Sequence, residues 1–296
     1  MTTLTVCIPA FDAEASIERA IRSVCVDEVA GPVEILVCDD GSSDATFEIL
    51  ERLQQDVPAL RILRNDRNLG RPATRNRLVA EARGRYLTWL DADDEKYPGM
   101  LAAQLGHLST VEHADGAQAL EGLLVYTNYH WLRPGWEWPK RMQPEEPDDA
   151  MKALLDSSFG GYLWLMMGLR DTFEAAGPFD ESLPRLQDLG FFISFAELGG
   201  RFERVESSDA MCVYHKVDSG RAARDVWRSW NRIWRRYRHH FVSYGMANAR
   251  RWRRHHYRVT RRYARANGDD RLFWYVAVLE VWFVIRGRLR RVLFDA

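Results

Sequence analysis

Asp91, Asp93 and Asp94 fall within four residues of one another, immediately after the run Tyr86 to Leu90. A second acidic pair, Asp39 and Asp40, follows Glu34 to Cys38 in the same manner. Desolvating an unpaired carboxylate costs several kcal/mol. Each chain segment must therefore leave the protein interior at its acids, which then face water, a cation or a ligand. A solvated acidic turn ahead of Pro98 is the plainer alternative. A GxGxxG motif does not follow the first apolar run, and GxxxxGK[ST] occurs nowhere. The two common glycine-based phosphate cradles are thus excluded. Acids repel a diphosphate directly, but they can hold one through a divalent cation or accept hydrogen bonds from a base and ribose.

The elements that must carry these acids are short strands alternating with helices. Leu4 to Ile8, Glu34 to Cys38, Leu60 to Leu63 and Tyr86 to Leu90 are apolar and rich in β-branched or aromatic residues, which predicts strands. Between them, Glu14 to Val24, a segment carrying Phe47, Leu50 and Leu53, and Pro72 to Ala82 have helical spacing. This alternation predicts an α/β fold with a parallel sheet covered on both faces. Acids at strand ends then lie where open α/β sheets bind ligands. Farther on, the pattern predicts a helix over Pro98 to Leu108 and strands over Leu123 to Asn128 and residues 159–167. It also predicts helices over Arg170 to Ala176 and from Gln187 through Leu198, and strands over Arg201 to Val205 and Met211 to Tyr214. Residues 131–149, with four prolines, read as an irregular excursion, a length typical of a lid or binding loop.

At 296 residues, 46% apolar and 28% charged, the chain is globular rather than disordered. Its four cysteines (Cys7, Cys25, Cys38 and Cys212) are too scattered for a disulfide framework and form no CxxC pair, so buried free thiols in a reducing compartment are expected. The N-terminal stretch lacks a basic region followed by an apolar core, so no signal peptide is predicted.

The net charge of −1 conceals an asymmetry: residues 224–296 hold 19 arginines and 5 acids, a balance of +14, whereas residues 1–223 balance at −15. This split predicts a domain at 1–222 and a helical, basic appendage at 223–296. Within the appendage, Trp227, Trp230, Trp234, Tyr237, Phe241 and Tyr244 are spaced alternately three and four apart, a helical sector of roughly 100°. Three partners fit such a stripe: an anionic membrane surface, the catalytic domain or a second subunit in a homo-oligomer, and nucleic acid. Arginine excess favours the membrane. No helix-turn-helix or RNP-like motif is present, so nucleic acid is not expected. The apolar run Leu272 to Ile285 would span only about 21 Å as a helix, short of the roughly 30 Å needed to cross a bilayer.

Four ordered motifs resemble those of family 2 glycosyltransferases of the GT-A fold. They are Val6-Cys7-Ile8-Pro9-Ala10-Phe11-Asp12-Ala13, Val37 through Asp44, Asn68-Leu69-Gly70 with Arg75-Asn76, and Leu90-Asp91-Ala92-Asp93-Asp94, which resembles the DxD motif. Ala176-Gly177-Pro178-Phe179-Asp180-Glu181 and Asp188 are similar to the family's acceptor-side segment. The likeness covers roughly residues 3–215. It implies a Rossmann-like, mostly parallel sheet, a nucleotide-sugar donor (usually a UDP sugar), Mg²⁺ or Mn²⁺, and transfer with inversion. By resemblance, Pro9, Asp39, Asp40, Arg75 and Asp91 belong to the donor side, Asp93 and Asp91 to the metal, and Asp188 is the general base. His215 or Lys216 would lie near the donor phosphates, and Trp138 or Trp164 would stack on sugar. One departure stands out: the family's Glu-Asp at the base position is Gln187-Asp188 here, which removes a negative neighbour.

The expected function is transfer of a sugar to a hydroxyl of a cell-surface glycan or a lipid-linked acceptor, at the cytoplasmic face of a membrane. A different class remains open: a non-catalytic nucleotide-sugar-binding assembly protein that oligomerises through its C-terminal helices.

Overall fold

The structure, a computed structural model, describes residues 2–133, 135–206, 209, 211–215 and 222–294, with the side chains of the last helix described through residue 285. The chain divides into two compact units. The first comprises Met1–Glu181 with Gln187–Val217, and the second comprises Ser182–Leu186 with Asp218–Ala296.

The first unit begins with β1 (Leu4–Ala10), α1 (Ile17–Arg22), β2 (Val33–Asp39), α2 (Thr46–Asp56), β3 (Leu60–Arg64), α3 (Arg71–Glu81) and β4 (Tyr86–Trp89). It continues through β5 (Glu95–Lys96), α4 (Met100–Asp115), β6 (Leu123–Tyr126), β7 (Tyr129–Leu132), β8 (Lys140–Met142), α5 (Ala150–Asp156), β9 (Met167–Leu169) and α6 (Arg170–Ala175). It closes with α7 (Gln187–Glu197), β10 (Arg201–Arg204) and β11 (Cys212–His215).

Seven strands form the main sheet in the order β10-β6-β9-β4-β1-β2-β3. All neighbours are parallel except β9, which runs antiparallel to both β4 and β6. Strand β1 is central and buried on both faces. Its alternate residues Leu4, Val6, Ile8 and Ala10 join one core with Ile17 and Ile21 of α1, Leu50 and Leu53 of α2, and Leu101 and Leu108 of α4. The opposite face of the neighbouring β4 presents Trp89, which packs edge-on against Phe173 and Phe179 at 6.0 and 5.6 Å. Near-continuous apolar strands are the sequence consequence of being covered on both sides. All four cysteines are free, three of them buried. Burial pushes the Cys38 thiol up to about 12.

Three expectations change. Residues 159–167 do not form one strand: Leu163–Leu165 is a 3₁₀ turn and the strand is Met167–Leu169. Gly168 is required there, since a Cβ would sit 2.6 Å from the Leu123 carbonyl oxygen across the sheet. The 131–149 excursion contributes β7 and β8 to a second, four-stranded sheet, β5-β11-β7-β8. The helix expected over Pro98 to Leu108 starts at Met100 and runs on to Asp115.

The second unit is helical: α8 (Ala223–Arg236), α9 (Arg238–Ser243), α10 (Met246–Ala266) and α11 (Asp270–Phe294). The aromatic stripe does not lie on one helix, because α8 ends at Arg236. Its rings are largely spent inside the unit. Trp230 stacks on His256 at 3.7 Å, Phe241 meets Trp252 at 6.1 Å, and Trp227 meets Tyr257 at 5.8 Å. Helix α11 packs Leu272 and Val276 against Tyr257 and Ala264. Its other side leaves Trp274, Val278, Val281, Trp282 and Ile285 at least half exposed, a sector of roughly 100°. Among the described residues, no helix is long and apolar enough to cross a membrane.

Candidate active site

Strands β1, β2 and β4 end side by side, and the loops that follow them enclose a cavity of about 250 Å³. Pro9, Phe11, Asp40, Arg71, Asp91 and Asp93 are among its lining residues. The loops after β1 and β2 are laced together. Ser43 N donates to Asp12 Oδ1 (2.8 Å), Ala13 N to Thr46 Oγ1 (2.7 Å) and Glu14 N to Asp44 Oδ2 (3.0 Å). Gly41, at φ +70°, lies where a Cβ would come within 2.5 Å of the Arg67 carbonyl carbon, so only glycine lets these loops close.

The two acids at the end of β2 have different surroundings. Asp39 is fully buried and turned inwards: it accepts from Ser42 Oγ and lies 3.3 Å from Arg64 Nε. Asp40 lines the cavity, while its carboxylate accepts from Asn65 Nδ2 (2.7 Å), Leu69 N (2.9 Å) and Gly70 N (2.9 Å). Asp40 thereby fixes the Asn68-Leu69-Gly70 turn, and that turn starts α3 and aims Arg71 into the cavity.

The acid turn after β4 gathers three carboxylates at one point. One carboxylate oxygen each of Asp91, Asp93 and Asp94 lies within 4.8 Å of the others. Burial, then repulsion from Asp91, raises the Asp93 carboxyl above its ordinary range. Asp94 is raised further, by burial and by both neighbours. One Asp94 oxygen accepts from His215 N at 2.8 Å, and the other is buried without a hydrogen-bond partner. Three converging carboxylates with an orphaned oxygen fit a hard divalent cation. The turn is braced from outside: Arg19 donates to the Asp93 carbonyl (2.9 Å) and lies 3.0 Å from Glu95, while His215 Nε2 contacts Glu95 at 2.7 Å. Beneath it, Lys96 is buried, bonded to Thr88 and the Trp164 carbonyl, and pushed down to about 8 by burial.

Arg75 joins this turn to α7. It is 1% exposed, with its guanidinium carbon 5.5 Å from the Phe179 ring centroid and 6.0 Å from that of Trp89. One terminal nitrogen is 3.3 Å from Asp91 and the other 3.7 Å from Asp188. A single buried cation thus spans two carboxylates that are 97 positions apart in the chain. Gln187, beside Asp188, is 4% exposed, a position where a second carboxylate would be costly.

Of the residues expected at the site, Pro9, Asp40, Asp91 and Asp93 line the cavity, and Arg75 and Asp188 stand behind it. Asp39, held by Ser42 and Arg64, does not line the cavity. Trp164 is buried at 3% exposure and Trp138 is 75% exposed; neither lines the cavity. His215 supports the acid turn, and Lys216 lies outside the described residues. Arg71 was not singled out from sequence. Asp91 foremost, then Asp188 and Asp93, raise its pKa further. Its position directly after Asn68-Leu69-Gly70 was the available signal.

Residues 5–160, just over half the chain, match the family described as Glycosyl transferase family 2. The chain belongs to that family. It is 26% identical over 195 residues to a glycosyltransferase of Methanocaldococcus jannaschii, covering 65% of this chain and 64% of that one. It is 24% identical over 239 residues to TuaG of Bacillus subtilis, a glycosyltransferase named for teichuronic acid biosynthesis, covering 79% and 87% of the two chains. The chain thus spans just under two thirds of the first relative. Among solved structures, S. aureus TarS 1-349 in complex with UDP-GlcNAc superposes with a TM-score of 0.56 at 15% identity, covering 88% of this chain and 81% of that one. The fold is therefore GT-A, a mostly parallel α/β sheet followed by C-terminal helices.

Proposed function

We propose that this family 2 glycosyltransferase moves a sugar, with inversion, from a UDP-sugar donor to a hydroxyl of a cell-surface glycan or lipid-linked acceptor. The observation that carries the reading is the Arg75 bridge, which ties Asp188 to Asp91 of the acid turn, itself part of the cavity lining. Support also comes from the UDP-GlcNAc complex of S. aureus TarS.

Asp40, Pro9 and Arg71 lie on the nucleotide side. Asp93, with Asp91, would hold Mg²⁺ or Mn²⁺, which when bound neutralises charge that grows on the diphosphate as UDP departs. Arg71, raised in pKa and facing the cavity, adds a permanent positive charge there. Asp188 accepts the acceptor hydroxyl's proton as that oxygen bonds to the anomeric carbon. The bond from that carbon to the β-phosphate oxygen breaks, and its electron pair leaves with UDP. In this reading residues 1–222 form the catalytic domain and 223–296 an appendage.

The appendage suits an anionic membrane surface through α11 rather than through the internal aromatic stripe. Trp274 and Trp282 stand two turns apart on the exposed face of a unit rich in arginine. Flotation with vesicles containing anionic lipid tests this: Trp274→Ser with Trp282→Ser should abolish flotation, and undiminished flotation would sink it. The enzymatic reading is tested by metal-dependent UDP release across several nucleotide sugars. Turnover in Asp188→Asn equal to the unaltered protein would exclude Asp188 as the base.

A further inference from the structure

The four-stranded sheet carries a second set of chemistry-bearing side chains. Strand β11 runs parallel to β7 with Tyr214 paired to Trp131, so the two rings project from the same face, 6.4 Å apart and within 22° of parallel. Tyr162 and Trp164, from the 3₁₀ segment, join them. The Tyr162–Trp164, Trp164–Tyr214 and Tyr162–Tyr214 centroid distances are 5.7, 5.7 and 6.0 Å, with interplanar angles of 7°, 15° and 19°. Three near-parallel rings in a single column would give one distance twice the other two. A near-equilateral triangle instead spreads them as a stepped platform. Tyr129 meets it edge-on, 5.2 Å from Trp164 and 5.8 Å from Tyr162, at 86° and 83°.

This arrangement is unlike the apolar core, where the rings of Trp89, Phe173 and Phe179 include edge-to-face pairs in a buried cluster. Here Tyr162 is 37% exposed, and Trp131 and Tyr214 are partly so. Tyr214 also interacts electrostatically with Arg71, which lines the donor cavity. Arg133 extends the other end, with its guanidinium over both Trp131 (4.8 Å) and Trp136 (5.2 Å).

We propose that Tyr162, Tyr214 and Trp131 form the binding platform for a pyranose ring of the acceptor glycan. Flat, spaced aromatic faces present negative π clouds to the polarised axial C–H bonds of a sugar. The proposal rests on the glycosyltransferase reading for its orientation towards the donor cavity but not for its ligand class. The experiment uses the full chain on an array of defined bacterial oligosaccharides, with UDP affinity measured separately by calorimetry. In Tyr162→Ala, glycan retention should fall at least tenfold while UDP affinity stays within twofold. Tyr162→Phe, which restores the ring, should recover retention to within threefold, an outcome that simple loss of folding would not give. Equal retention by Tyr162→Ala and the unaltered chain, or no arrayed glycan retained by the unaltered chain, overturns the platform. Glycan retention without UDP binding would leave the platform standing and refute the donor reading.

Discussion

The acid turn at Asp91–Asp94 and the helices of the second unit both crowd like charges together, and they settle them differently. In the helices, several arginines are paired or stacked where they stand. Arg253, 7% exposed, donates to Asn231 and lies over Trp234 and Tyr257 at 5.2 and 4.8 Å. Arg261 pairs with Glu280 at 2.9 Å while covering Phe273 at 4.8 Å. His256, fully buried against Trp230, is held neutral by desolvation. In the acid turn, by contrast, burial and mutual repulsion push Asp93 and Asp94 upwards beside an open cavity. Charge settled by its neighbours reads as architecture. Charge left unsettled at a cavity reads as a place for something not encoded in the chain.

The contrast breaks most visibly at Asp93. Asp93→Asn removes one of three repelling carboxylates, so UDP release should fall roughly a thousandfold, equivalent to several kcal/mol of transition-state stabilisation. The melting temperature should hold or rise; a protein that loses activity and melts lower would show that Asp93 is structural instead. Arg75→Met comes next. It strips the cation from Asp91 and Asp188, which are only partly screened by solvent, and should cost about 2–3 kcal/mol in chemical denaturation. Arg75→Lys should recover part of that stability without restoring the two-pronged bridge.

His256 sharpens the helical side. Its folded pKa lies well below the ordinary value near 6.5, so the unfolded chain takes up the proton first. Stability present above about pH 6.5 is therefore lost as the pH falls below it. A thermal scan at pH 5 should show an earlier transition than at pH 7.5, and His256→Phe should flatten that difference. The smallest effect belongs to Trp282→Ser on the exposed face of α11, which should change folding stability by no more than about 0.5 kcal/mol. A larger loss in the monomer would mean that Trp282 contributes to packing within the helical unit.

The alternation of strand and helix through Leu90 was legible because each element carries its own period. The acids of β2 and β4 were legible because carboxylates cannot continue a buried strand. What escaped were elements made by distant pairing. β5 is two residues long and exists because Glu95 meets Val213, and β7 and β8 sit in a segment whose prolines and tryptophans hide any alternation. Periodicity also placed the tail's aromatics on one side without naming what they face, since a stripe looks the same whether a membrane or helix α10 covers it. Likewise, Asp39 and Asp40 are adjacent in type and position, and only the third dimension separates the one locked against Ser42 and Arg64 from the one lining the cavity.

The small sheet β5-β11-β7-β8 has a bearing on the order of events. Its first strand continues directly from the acid turn, and its next two carry Tyr214 and Trp131. Whatever binds at the acids and whatever rests on the rings therefore act on one continuous hydrogen-bonded ladder. By thermodynamic reciprocity, any factor by which a bound nucleotide tightens or loosens the hold on a glycan is returned unchanged by the glycan to the nucleotide. Equal factors for the change in glycan affinity on binding nucleotide and in nucleotide affinity on binding glycan, both different from one, would be the mark of that shared ladder.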